Sequence, residues 1–247
     1  RLLTSPIPHA RIVRLDVSKA LQMEGVVAGL TADDVPEMPN LGNPILTNEP
    51  AYVGDPILAV AAIDEQTAED AIEAIDFIFE PLPFVVDPLK SLQPGGPHAR
   101  IQGNVGNSTM REEFRSIHWT DDEFASLANN QLPQGEAARE WTVGDLEAGF
   151  DQADYILDES FVTASYSHNS MEPRSAMAYW ENGKCFLYGS SQSQSFPVPG
   201  LAAYIGIEPE NLVFVAEFCG GGFGSKGGPY PTMTIPAHLS RLTGRPV

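Results

Sequence analysis

The sequence predicts an α+β chain built from two units and a long connector. Four observations carry this reading. Ile57 to Ile63 (ILAVAAI) is a continuous apolar run, the pattern of a fully buried strand. It is followed by Ala68, Ala71, Ile72 and Ile75 at helical spacing, so strand and helix alternate. Asn182-Gly183 sits between two strand-like runs, a strong hairpin signal. Finally, the apolar run Leu212 to Ala216 (LVFVA) leads straight into EFCGGGFGSKGG, Glu217 to Gly228, in which six of twelve residues are glycine. Such a loop loses much conformational entropy on folding, and in return its backbone can come close to a ligand.

Residues 1–90 form the first predicted unit. Asp64 is the expected N-cap of the helix, with Glu65 in its first turn. Phe77 to Phe79 reads as a strand ended by Pro81 and Pro83. Residues 91–142 read as a connector. Pro94-Gly95-Gly96-Pro97 is a break, GNVGNS at Gly103 to Ser108 is loop-like, and one short helix is expected near Asp121 to Ala128. The second unit spans 143–247. A short helix is expected over Gly144 to Ala153 and a long strand over Tyr155 to Tyr166. The hairpin pairs Ala176 to Trp180 with Lys184 to Tyr188. A helix over Pro199 to Tyr204 stops at Gly206, and another over Pro231 to Leu242 stops at Gly244. The chain opens without a methionine and closes on a helix stop, as a piece of a longer polypeptide would.

Composition removes several functions. The net charge is −19, from 33 acidic against 14 basic residues, which disfavours a nucleic-acid partner. Two cysteines, Cys185 and Cys219, cannot build a four-cysteine zinc or iron–sulfur site, and they suit a reducing compartment. No apolar run reaches membrane-span length, and no signal peptide is visible.

Taken singly, the motifs are weak. Gly222, Gly224 and Gly227 satisfy G-x-G-x-x-G, but Pro229 and Pro231 fall where a dinucleotide-binding helix should open. Lys226 lies between Ser225 and Gly227, which excludes a P-loop. Gln192 and Gln194 sit in a serine-rich loop, where an amide could donate to an oxyanion or to a metal-bound oxygen. His168 and Glu172 are four apart, but Pro173 turns Glu172 away from helical geometry, so a structural hydrogen-bonding role is expected. His9, His98, His118 and His238 are scattered, and no G-x-S-x-G elbow is present.

In order along the chain, these landmarks are specific. Ser5 to Ile12 (SPIPHARI), Tyr52 to Pro56 (YVGDP), Glu80 to Pro83 (EPLP), His168 to Pro173 (HNSMEP), Ser191-Gln192 and Gly220 to Lys226 (GGGFGSK) together resemble the large, molybdopterin-binding subunit of the molybdenum hydroxylases. That is the family of xanthine dehydrogenase, aldehyde oxidase and aerobic carbon monoxide dehydrogenase. The resemblance implies an a/b hammerhead domain over 1–90 and the first part of a molybdopterin-binding domain over 143–247. It implies hydroxylation of an aldehyde or N-heteroaromatic carbon with oxygen taken from water. Gln192, Gly221, Gly222, Phe223 and Gly224 would bind the cofactor, with Gln192 and Phe223 beside the molybdenum.

The resemblance further implies a molybdenum–molybdopterin cofactor in its cytosine dinucleotide form. Iron–sulfur clusters, and a flavin where one is used, would sit on partner subunits. The location would be cytoplasmic, with the periplasm as the alternative. The catalytic glutamate of the family would lie beyond Val247, so no catalytic residue is expected in this stretch. Purine-oxidising members carry a glutamate after the loop lysine; here Lys226 is followed by Gly227, which argues against xanthine. The competing reading is a non-catalytic dinucleotide- or phosphate-binding module that uses the glycine loop alone.

Overall fold

The computed structural model describes residues 1–36, 43–87, 90, 120–125, 140–159, 161, 163 and 166–247. In chain order the first unit contains β1 (Leu2–Thr4), β2 (Ala10–Asp16), α1 (Ser18–Leu21), β3 (Val26–Leu30), β4 (Pro56–Ala62), α2 (Glu65–Glu73) and β5 (Asp76–Pro81). β4 is the centre of an antiparallel sheet ordered β1-β4-β3, while β2 and β5 pair separately. Asp64 caps α2 as the sequence predicts, its side chain accepting from Thr67 N.

The continuous apolar run of β4 has a simple cause: both faces are covered. Leu58 and Val60 pack with Ala71 of α2 and with Ile75. Ala59 and Ala61 pack with Tyr204, Ile235 and Leu239 from the far half of the chain. This strand is therefore the seam along which the first unit meets the second.

Next come α3 (Asp121–Ala125) and α4 (Leu146–Asp151), then β6 (Ala176–Glu181), β7 (Lys184–Gly189), α5 (Val198–Ile205), β8 (Leu212–Val215) and α6 (Ile235–Thr243). The helix expected near Asp121 to Ala128 is present as α3, where Thr120 and Glu123 exchange hydrogen bonds as a capping box. Most of the predicted connector, 91–142, lies outside the described residues, as do His98 and His118. The hairpin turns at Asn182 and Gly183, with φ of 50° and 78°, the two left-handed residues of a type I′ turn. α5 and α6 end at Gly206 and Gly244 as expected. Val247 exchanges both backbone hydrogen bonds with Ala178 of β6.

One predicted element is not found. The described residues within Tyr155 to Tyr166 form no strand. A segment becomes a strand only where a neighbour takes up its N–H and C=O groups. No described strand pairs with this stretch, and Tyr155, Phe161 and Tyr166 stand 79%, 84% and 90% exposed.

The sheet β6-β7-β8 positions the site. β6 and β7 are antiparallel, but β7 and β8 are parallel, with α5 in the connection between them. Parallel strands finish on the same side of a sheet. The segment after β7, from Ser190, and the segment after β8, from Ala216, therefore emerge side by side. Leu187, Leu201, Ile205, Met233 and Ala237 fill the core beneath them.

Candidate functional site

The two emerging segments are stitched together residue by residue. Gln192 N donates to Lys226 O at 3.0 Å, and Ser191 Oγ donates to the same carbonyl at 3.2 Å. Gln192 Oε1 accepts from Gly224 N at 2.9 Å and from Lys226 N at 3.3 Å. Gln194 Nε2 donates to Ala216 O at 3.1 Å. Both glutamines singled out from sequence thus hold the strand end and the glycine loop. Because two N–H donors face one end of the Gln192 amide, that end must be the oxygen. The NH₂ end is left with no partner among the described residues, on an exposed side chain.

Between the segments lies an open cleft of about 630 Å³, lined by residues 191–194, Ala216, Glu217, Cys219, Gly221, Gly222 and Phe223. Of the residues predicted to bind a cofactor, Gln192, Gly221, Gly222 and Phe223 line it, and Gly224 is tied to Gln192 just behind it. Among the described residues the N–H groups of Gly221, Gly222 and Phe223 have no hydrogen-bond partner. Phe223 is 73% exposed and adopts a left-handed φ of 52°, a conformation that costs a β-carbon residue of order 1 kcal/mol. It is no part of the core that β8 packs on. Gly222 is buried, and a Cβ there would run into Gln192 Oε1 with Gln192 Cδ at 2.8 Å. The absence of a side chain is what lets the amide and the loop meet.

Glu172 behaves as a structural hydrogen-bonding residue, and its partners are those the sequence reading missed. One carboxylate oxygen accepts from Lys226 Nζ at 2.6 Å, Ser190 Oγ at 2.6 Å and Gly220 N at 2.9 Å. The Lys226 side chain is only 1% exposed. His168 lies beside the loop instead: a Cβ at Gly224 would stand 3.6 Å from its Nε2. A lone lysine within a run otherwise poor in side chains was the available signal, since a buried ammonium requires a carboxylate. Arg174 donates to Ser225 O at 2.7 Å and stacks over Tyr230, fixing the outer side of the loop.

These bonds hold the Glu172 carboxyl down at about 2, chiefly through Lys226, then Ser190 and Gly220. A carboxylate depressed in the fold contributes stability above its ordinary value near 4.5, and loses it as pH falls towards 2. Glu172→Gln should therefore flatten the acid limb of the melting-temperature curve between about pH 4.5 and 2. Thermal melts of variant and wild type across that window check this.

No group of three metal-ligating side chains occurs among the described residues. His9 and His238 each hydrogen-bond through one ring nitrogen to a backbone oxygen, of Pro83 and of Tyr204. Both cysteines are free; burial raises the Cys185 thiol to about 11, and Cys219 lies at the cleft. No described helix is long and apolar enough to cross a membrane. The glycine loop also does not open a helix as a dinucleotide fingerprint would; a 3-10 turn over Pro231–Thr234 precedes α6.

Comparison with known proteins bears on the family and the fold. Residues 1–83 match the family model of the aldehyde oxidase and xanthine dehydrogenase a/b hammerhead domain, and residues 128–247 match that of the molybdopterin cofactor-binding domain. The chain is 30% identical over 254 residues to a probable xanthine dehydrogenase subunit of Bacillus subtilis (strain 168), covering 100% of this chain and 30% of that protein. It is 28% identical over 253 residues to the carbon monoxide dehydrogenase large chain of Afipia carboxidovorans, covering 97% of this chain and 29% of that one. The structure superposes on quinoline 2-oxidoreductase from Pseudomonas putida 86 with a TM-score of 0.73 at 26% identity, over 100% of this chain and 30% of that one. The chain thus spans about 30% of the length of such relatives. The α+β class, with a hammerhead domain followed by molybdopterin-binding domain structure, holds as read from the sequence. No finding supports the phosphate-module alternative. The chain belongs to the molybdenum hydroxylase family of xanthine dehydrogenase, aldehyde oxidase and carbon monoxide dehydrogenase, as a stretch of the large, molybdopterin-binding subunit.

Proposed function

We propose that this chain forms one wall of a molybdopterin cofactor site in an oxidoreductase that hydroxylates an aldehyde or N-heteroaromatic carbon. The observation that carries the reading is the Gln192 amide. Its oxygen is spent on Gly224 N and Lys226 N, so it offers only donors at the cleft it lines. The uncommitted N–H groups of Gly221, Gly222 and Phe223 are donors too. Apart from the Glu217 carboxylate, which also lines the cleft, these donors suit an oxygen-rich group, and the side-chain-poor backbone leaves room for a bulky one. When bound, molybdenum–molybdopterin supplies two-electron oxidation of a carbon with oxygen taken from water. Gln192 and the loop amides hold and orient it, and exposed Phe223 gives the adjoining space an apolar boundary that excludes water.

In this reading residues 1–90 are the hammerhead domain, 91–142 the connector and 143–247 the first part of the cofactor domain. The cofactor is the cytosine dinucleotide form. The remainder of the large subunit, an iron–sulfur subunit and a flavin subunit complete the electron path, in the cytoplasm. Gly227 in the position after Lys226 leaves the substrate without a polarising carboxylate there, which favours aldehydes or N-heteroaromatics over xanthine. The test is elemental analysis of the assembled enzyme. Molybdenum near one per large subunit, with cytidine monophosphate released on acid treatment, is expected; an enzyme without molybdenum rejects the proposal.

A further inference from the structure

We infer that Glu172 and Lys226 are positioning residues: their ion pair, a buried ammonium on a carboxylate that is 33% exposed, ties both ends of the glycine loop and sets where its free amides stand. The inference rests on the cofactor reading above, but its geometry does not depend on it. Glu172 Oε2 holds Gly220 N at the loop's start and Lys226 Nζ at its end. The same ammonium donates to the Glu172 backbone oxygen at 2.8 Å. Lys226 then passes the constraint on, because its N–H and C=O are both bonded to Gln192. One side chain thus joins the His168–Pro173 segment, the segment after β7 and the glycine loop.

Stability alone does not explain such an arrangement. Taking the Lys226 ammonium out of water costs free energy that its pairing largely offsets rather than exceeds. What a fork of charge-assisted hydrogen bonds supplies is direction. Six successive residues, Gly220 to Ser225, carry little side-chain bulk apart from Phe223, and Phe223 is exposed. Side-chain packing does little to fix such a run, so hydrogen bonds must, those from Gln192 and Arg174 within it and those from Glu172 and Lys226 at its ends. Ser190, 5% exposed, donates a third bond to the same oxygen and anchors the carboxylate to the end of β7.

The test uses the assembled enzyme with Glu172→Gln and Lys226→Met together. These near-isosteric neutral side chains leave no unpaired buried charge. Hydrogen exchange is read in the peptide spanning Gly221 to Lys226, where the bonded amides of Gly224 and Lys226 have Gln192, not Glu172, as partner. Exchange there is expected to rise about tenfold, while β6 and β7 stay protected, and the cofactor is expected to dissociate correspondingly faster. A folded double variant with wild-type exchange in this peptide overturns the inference. Should the double variant fail to fold, Ser190→Ala removes a single hydroxyl; faster exchange in the same peptide is expected, and wild-type exchange again overturns it. Wild-type enzyme that lacks molybdenum would instead overturn the cofactor reading and with it the purpose assigned to the clamp. Molybdenum present with unchanged exchange overturns the clamp alone.

Discussion

Gly222→Ala is expected to empty the cofactor site while leaving the fold standing. The added methyl would run into Gln192 Oε1 and come 2.8 Å from Gln192 Cδ and 3.0 Å from Lys226 Cβ. Lys226 cannot give way, since its side chain is buried against Glu172. The amide of Gln192 must therefore swing off the loop, releasing the N–H groups of Gly224 and Lys226. Two hydrogen bonds of about 1 kcal/mol each are lost, a modest cost beside the untouched core under the sheet. The binding wall, by contrast, loses its shape altogether. Molybdenum content of the assembled enzyme should fall about tenfold or more, with far-UV circular dichroism unchanged. Full metal content and full rate in this variant would show that the loop and Gln192 need not touch. Gly224→Ala is a poorer probe. Gly224 has φ of 101°, where any side chain is strained, so lost activity there would report on the backbone rather than on the cofactor.

Gln192→Glu is expected to separate holding from chemistry. The substituted carboxylate still offers an oxygen to Gly224 N and Lys226 N, so the loop keeps its tether. What it loses is the NH₂ donor at the cleft, replaced by a negative charge. Removing one donor that stabilises developing charge costs roughly 1–3 kcal/mol of barrier, or about ten- to a hundred-fold in kcat. Molybdenum should remain measurable. Gln192→Ala removes oxygen and donor alike, so it should lose metal as well as rate. Steady-state rates normalised to molybdenum content distinguish the two variants. Equal, wild-type rates in both would return Gln192 to an ordinary loop residue.

Much of this was legible along the chain, for identifiable reasons. β4, the Asn182-Gly183 hairpin and the stops at Gly206 and Gly244 are local: each depends on a few neighbouring residues and their backbone preferences. The predicted strand over Tyr155 to Tyr166 is different, because residue preferences are local while a strand is defined by its partner. The meeting of Gln192 with the loop was reached by resemblance rather than by pattern, since it depends on β7 and β8 lying parallel. The lone Lys226 was the one signal of the clamp within its own segment; the carboxylate and hydroxyl that complete it come from two other segments, which nothing local links to it.

The parallel pairing of β7 and β8 also bears on how this protein could be re-engineered. Gln192 and the glycine loop meet because two strands end on one side of a sheet, not because of how many residues separate them. The turn between α5 and β8, Gly206 to Asn211, lies at the opposite end of the strands from the cleft. Extra residues inserted there would lengthen the path between the two motifs without moving either one. This turn is the natural place to graft an affinity peptide or a fluorescent reporter. The same insertion a few residues after β8 would push the two halves of the site apart.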